Sequence, residues 1–179
     1  AVYIEALDSP EAFKKACLEC EKPITAIKVG SSEIGVKAAF AHTASENQGH
    51  SNAEYDKLFE ESGVLREKTW QEFLDTSLAL GNCPPLRGDN VVIITNGGGA
   101  GLLAADHFER LGMPLKELKD ISPDLRENIR NYMPAFGSPL NPVDISGTAT
   151  SDMYGGALKT AYRDEHVDGI LISVCPTAV

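Results

Sequence analysis

Residues 91–95, VVIIT, are five consecutive β-branched side chains, and Asn96-Gly97-Gly98-Gly99-Ala100-Gly101 follows at once. An apolar run without polar alternation is a strand covered on both faces, which a parallel sheet flanked by helices provides. The glycines make a tight exit, and Leu102 to Leu111 reads as a helix closed by Gly112. A buried parallel strand needs crossovers, so the rest of the chain should alternate strand and helix.

It does. Val2 to Ala6 reads as a strand, and Ser9-Pro10-Glu11 opens a helix to about Cys20 with an N-cap, a first-turn proline and an acid. Ile24 to Val29 is a second strand with partial polar alternation, and Gly30-Ser31-Ser32 turns it into a short small-residue helix containing Ala38, Ala39 and Ala41. His42 stands where that helix gives way to a long polar loop, expected to move. Ser51 to Ser62 is helical with Tyr55, Leu58 and Phe59 on one face and Gly63 at its end, and Val64-Leu65 leads to a helix over Thr69 to Leu80 with Trp70, Phe73, Leu74 and Leu78 on its apolar side. GNCPPLRGDN (81–90) has no periodicity and is the best linker. Beyond the glycine run come a helix over Ser122 to Met133, the extended piece NPVDISG (141–147), a helix over Ser151 to Arg163 and a strand over Val167 to Val174. The fold class is α/β, with two parallel-sheet units over residues 1–82 and 91–179 joined by a linker at 83–90. A strand opens the sequence and a strand closes it, so each unit is expected to be incomplete.

Composition narrows the function. A net charge of −10 over 179 residues argues against a phosphate-backbone binder and so against nucleic acid. No apolar run reaches the roughly 20 residues that span a bilayer, so no membrane partner is expected and a cytoplasmic location is. Cys17 and Cys20 are spaced C-x-x-C on an amphipathic helix, but Cys83 and Cys175 are single, so reduced thiols and no metal site are expected.

Three features carry possible chemistry. The glycine run is a strand-to-helix turn whose unpaired N–H groups favour an anion. It fails as a dinucleotide fingerprint, because position 102 is Leu, and as a P-loop, because no Gly-Lys-Ser or Gly-Lys-Thr follows. Its plain alternative is a turn needing small residues for packing. Glu5 stands at the carboxyl end of a strand, where such folds place functional side chains, or simply faces water. His42 is either a solvated loop residue or a nucleophile whose imidazole a carboxylate orients; Glu5 is the candidate carboxylate. His50, His107 and His166 lack such company in the sequence.

These residues resemble a known family, the nucleoside-diphosphate-forming acyl-CoA synthetases, which include ADP-forming acetyl-CoA synthetase and are relatives of succinyl-CoA synthetase. The resemblance runs through KPITAIKVGSSEIGVKAAFAHTA, AEYDKLFEESGV, VVIITNGGGAGLLAADHFERLG, NPVDISG and VDGILISVCPTA, nearly the whole chain in order. It implies that His42 matches the phosphorylated histidine of the Ser-His-Thr-Gly motif and Glu5 the glutamate that contacts it. It further implies that Asn96, Gly97, Gly98 and Gly99, with Thr177 and Ala178, help form a phosphate and acyl site.

The family architecture joins a CoA-binding Rossmann domain, two flavodoxin-like domains and an ATP-grasp domain, on one chain or on separate subunits. By this resemblance residues 1–82 are the C-terminal part of the first flavodoxin-like domain, carrying the phosphohistidine loop, and 91–179 the N-terminal part of the second. The implied partners are the Rossmann and ATP-grasp domains within an oligomer. The implied ligands are CoA or acyl-CoA, ATP or ADP, phosphate and Mg2+, none held tightly by this stretch, which alone should be inactive. The implied reaction interconverts acyl-CoA, phosphate and ADP with acid, CoA and ATP. Two departures stand out: Ala44 replaces the usual glycine after His-Thr, and the loop to Tyr55 is about two residues longer than the family pattern. The retained histidine separates the chain from fused lysine acetyltransferases that share these domains. Two other readings stay open, a non-catalytic module that senses acyl-CoA and a nucleotide-dependent oxidoreductase using the glycine turn.

Overall fold

Three parallel strands in the order β1-β2-β3 organise the first half of the chain in a computed structural model, which describes residues 1–42 and 51–176. Two compact units are formed, Ala1–Pro85 and Leu86–Val179. In the first, β1 (Val2–Ile4) pairs with β2 (Ile24–Lys28), and β2 with β3 (Val64–Glu67). Thr25, Ala26 and Ile27 are all buried, so β2 is covered on both faces despite its partial polar alternation.

The helices begin where side chains satisfy their first N–H groups. Ser9 caps α1 (Pro10–Glu19) by accepting from the Ala12 N–H, and proline occupies the first turn at no hydrogen-bond cost. Ser51 with Glu54, and Thr69 with Glu72, form complete capping boxes at α3 (Asn52–Glu61) and α4 (Trp70–Asn82). Between them lies α2 (Glu33–His42), started by the Ser32 side chain accepting from the Gly35 N–H. The core gathers Ile4, Cys17, Ala26, Tyr55, Phe59 and Val64, and each large apolar side chain buried contributes about 1.5–3 kcal/mol. On α4 only Phe73 is buried; Trp70, Leu74 and Leu78 remain exposed.

The second unit is a four-stranded sheet in the order β5-β6-β4-β7. Its centre is β4 (Val91–Thr95), 0–4% exposed throughout, paired in parallel with β6 (Val143–Asp144) and β7 (Gly169–Ser173). The short β5 (Ser138–Pro139) runs antiparallel to β6 and makes this sheet mixed. Helix α5 (Gly98–Arg110) starts four residues before Leu102, so Gly98 and Gly99 form its first turn. Gly101 explains the close fit: a methyl group there would stand 3.0 Å from both Thr95 Cγ2 and Pro142 Cβ.

The helix expected over 122–133 is shortened to α7 (Leu125–Arg130), and a separate turn of helix, α6 (Leu118–Ile121), precedes it and ends where Ser122 leaves helical geometry before Pro123. Then α8 (Ser151–Arg163) is capped by Thr150, with Ala157 and Ala161 buried. Leu118, Ile121, Leu125, Ile129, Val143 and Ile145 complete the core with β4. Among the described residues all four cysteines are free, and no helix is long and apolar enough to cross a membrane.

Candidate active site

The second unit places its chemistry at the carboxyl end of β4. Asn96 is buried there, at 8% exposure, and its carboxamide bonds to the Cys175 peptide and to Tyr154. Oδ1 accepts from the Cys175 N–H at 2.7 Å and the Tyr154 hydroxyl at 2.9 Å, while Nδ2 donates to the Cys175 carbonyl at 2.9 Å. Gly97 turns beneath Cys175, where a methyl group would lie 2.5 Å from Sγ, and its N–H donates to Thr95 Oγ1. The Gly97 carbonyl accepts from Ala100 and Gly101. That leaves Gly98 and Gly99, the first two helical residues, whose N–H groups have no acceptor within α5 and carry the positive end of its dipole.

A carboxylate stands beside this donor pair. A methyl group on Gly98 would lie 2.6 Å from Asp144 Oδ2, and Asp144 Oδ1 accepts from the Ser146 N–H at 2.8 Å. Ser146 has φ 75, so that bond fixes a left-handed residue at the exit of β6. Tyr154 stays a neutral donor: burial, with help from Cys175 and Asp144, outweighs the Asn96 bond and pushes its pKa above the ordinary value.

In the first unit Glu5 follows β1 directly, at the sheet's carboxyl end, and accepts from the Tyr3 hydroxyl at 3.3 Å. The Lys28 ammonium is close enough to feel its charge. Burial and the Arg66 charge lower the Lys28 pKa, against Glu5, which raises it. Lys28 also donates to the Val29 carbonyl and lies 4.8 Å over the Tyr55 ring. His42 is the last residue of α2, roughly 13 Å along the helix axis from Glu33 by the rise of an α-helix. Its side chain, and therefore its pairing with Glu5, lies outside the described residues, as do Ala44, His50, Thr177 and Ala178. Asn52 Nδ2 donates to the Ser31 carbonyl at 3.3 Å, joining the start of α3 to the turn before α2.

Two histidines have more company than the sequence suggested: His166 Nδ1 lies 3.1 Å from Asp164 and His107 Nδ1 lies 3.2 Å from Arg110. Tyr154 and Asp144 were missed as site residues. Asp144 lies in NPVDISG, whereas Tyr154 gives no local signal because the partners of its hydroxyl, Ser173 and Asn96, are 19 and 58 positions away. Among the described residues no three His, Cys, Asp or Glu side chains gather to hold a metal ion.

Fold and turn define two α/β units, the second with a glycine-rich helix start at the carboxyl end of a buried parallel strand. The family model described as the succinyl-CoA ligase like flavodoxin domain matches residues 1–80, and that of the Ligase-CoA domain matches 91–179. The alpha subunit of acetate–CoA ligase [ADP-forming] I from Pyrococcus furiosus is 41% identical over 99% of this chain and 38% of its own length. Acetate–CoA ligase [ADP-forming] I from Archaeoglobus fulgidus is 31% identical over 99% of the chain and 25% of its own. Among solved structures, dinucleotide forming acetyl-coenzyme A synthetase 1 of Ca. Korarchaeum cryptofilum, in complex with phosphate and ADP, superposes with a TM-score of 0.84 at 34% identity, over 99% of this chain and 38% of that one. The chain belongs to the nucleoside-diphosphate-forming acyl-CoA synthetase family. It spans 38% or less of the length of these relatives.

Proposed function

We propose that this chain is the central part of an ADP-forming acyl-CoA synthetase, interconverting acyl-CoA, phosphate and ADP with acid, CoA and ATP. The observation that carries the reading is the pair of N–H groups at Gly98 and Gly99, unbonded within the helix and set at the carboxyl end of a buried parallel strand. Phosphate attacks the thioester carbonyl, the C–S bond breaks, and CoA leaves with the acyl phosphate formed. The helix start supports the acyl phosphate by lowering the cost of its charge. An imidazole nitrogen of His42 then attacks phosphorus, the acid leaves with the P–O bond pair, and the phosphoryl group passes from His42 to ADP. Glu5 holds the other ring nitrogen and offsets the imidazolium charge.

In this reading residues 1–82 supply the histidine that carries the phosphoryl group, and residues 91–179 supply the glycine turn that receives an anion. A CoA-binding Rossmann domain and an ATP-grasp domain complete the enzyme, in the cytoplasm and as an oligomer. The test uses the intact protein, incubated with Mg-ATP and analysed at neutral pH for acid-labile phosphate. Phosphate on His42, discharged by ADP and lost in His42→Ala, is the expected result, with slower labelling in Glu5→Gln. An intact protein that binds CoA but takes no phosphate sinks the reading.

A further inference from the structure

The Asn96 carboxamide and the Cys175 peptide exchange two hydrogen bonds, one in each direction, as two strand residues do across a ladder. Tyr154 braces this pair from α8, with its hydroxyl 2.9 Å from Asn96 Oδ1 and 3.1 Å from the Ser173 carbonyl. One hydroxyl proton is shared between two acceptors, and both lone pairs of Oδ1 are engaged. The exit of β7 is thereby fixed to the exit of β4. Cys175 in turn lies on Gly97, where only a hydrogen fits beneath its sulfur. The Gly97 carbonyl caps the first turn of α5 by accepting from Ala100 and Gly101, so the position of Gly97 sets the direction in which Gly98 and Gly99 point their N–H groups.

We propose that Tyr154 and Asn96 are positioning residues for an anionic ligand of the phosphate and acyl phosphate class: they act through Cys175 and Gly97 to aim the helix start. This rests on the reading of that turn as an anion receptor. It gives Asn96 a positioning role, since both lone pairs of its oxygen and one of its two N–H donors are engaged by Cys175 and Tyr154, and it brings into the site a helix-borne tyrosine that never needs to touch substrate. The arrangement requires the hydroxyl alone. A phenylalanine at 154 keeps the packing but lets the Asn96 oxygen and the Ser173 carbonyl lose their shared donor.

The test uses the intact protein, with inorganic phosphate and CoA titrated separately by calorimetry and hydrogen exchange followed by mass spectrometry in peptides covering 173–176. Tyr154→Phe should speed exchange in those peptides, weaken phosphate about three- to tenfold, as expected for one hydrogen bond, and leave CoA affinity within twofold. Asn96→Asp, which keeps the acceptor but not the donor to Cys175, should act in the same direction and more strongly. Faster exchange with unchanged phosphate affinity overturns the proposal, and so does unchanged exchange. Equal loss of phosphate and CoA in both variants also overturns it, since that marks general unfolding, and so does a wild type that binds no phosphate. A wild type that binds phosphate in this clamp-dependent way but forms no acyl-CoA removes the proposed enzyme activity and leaves the positioning role standing.

Discussion

Asp144 and Gly98 meet so closely that a methyl group on the glycine would lie 2.6 Å from the carboxylate oxygen. Gly99, one residue on, has open space above it. Neither residue has a positive φ, so the difference between them is one of room alone. Gly99→Ala should therefore raise stability by about 0.5–1 kcal/mol, the usual gain of alanine over glycine in a helix. Gly98→Ala should lose about 1–3 kcal/mol by overpacking, and the double change Gly98→Ala with Asp144→Ala should recover part of that. Urea midpoints of the three variants check the order; equal effects at 98 and 99 would show that Asp144 moves aside freely.

The Tyr55 hydroxyl accepts the Leu7 N–H at 3.1 Å while its ring is 2% exposed. Leu7 lies two residues past Glu5, so this bond holds the exit of β1. Tyr55→Phe leaves the donor unmatched in a half-buried setting and should cost about 1–2 kcal/mol by urea denaturation. Hydrogen exchange at Leu7 should rise in the same variant; an unchanged exchange rate would mean that the β1 exit is held by other contacts.

The buried β4, the helix cap at Ser9 and the glycine turn were legible in the sequence because each is decided locally, by β-branching, by a side chain three residues from its partner, or by the lack of a Cβ; Ser51 and Thr69, read as first helical residues, are the caps of α3 and α4. The turn of helix α6 before Pro123 was harder, since the proline is equally acceptable as the start of one helix and as the stop of another. Tyr154 was invisible for a different reason. Its spacing to Ala157 and Ala161 describes only the inward face of α8, and nothing local says that the ring carries its hydroxyl to Asn96, 58 positions earlier. The same holds for Cys175, a lone cysteine until the fold lays it on Gly97.

Arg66 ties the end of the first sheet to the start of α3. Its Nη1 donates to Asp56 at 2.6 Å and to the Asn52 carbonyl at 3.1 Å, its Nη2 to Asn52 Oδ1 at 2.9 Å, and its guanidinium lies 5.8 Å over the Phe59 ring. A lysine can reach one of these acceptors but cannot fork between them. Arg66→Lys should cost about 1–3 kcal/mol, whereas Asp56→Ala, removing a partner that is 65% exposed, should cost about 0–1 kcal/mol. Thermal or urea denaturation of the pair decides it, and equal losses would place the value of Arg66 in the ion pair alone.

Asp164 ends α8 with a side chain 15% exposed, and its Oδ1 takes the His166 N–H at 3.0 Å. Burial opposes its ionisation, but bonds from the Ser122 side chain, the His166 N–H and the His166 ring outweigh burial and hold the carboxyl below its ordinary value of 3.8. A carboxyl depressed in this way is protonated in the unfolded chain before it is protonated in the folded one. Between the folded value and 3.8 the unfolded state binds more protons, so stability there rises with pH. The contribution is complete above 3.8 and is lost as pH falls through the folded value. Wild type should therefore exceed Asp164→Asn in urea stability at pH 5, and the margin should shrink steadily below pH 3.8. Because the ring of His166 is one of the donors, His166→Ala should narrow the same margin at pH 5. A margin that stays constant down to pH 2 would assign the effect of Asp164 to its shape at the helix end and not to its charge.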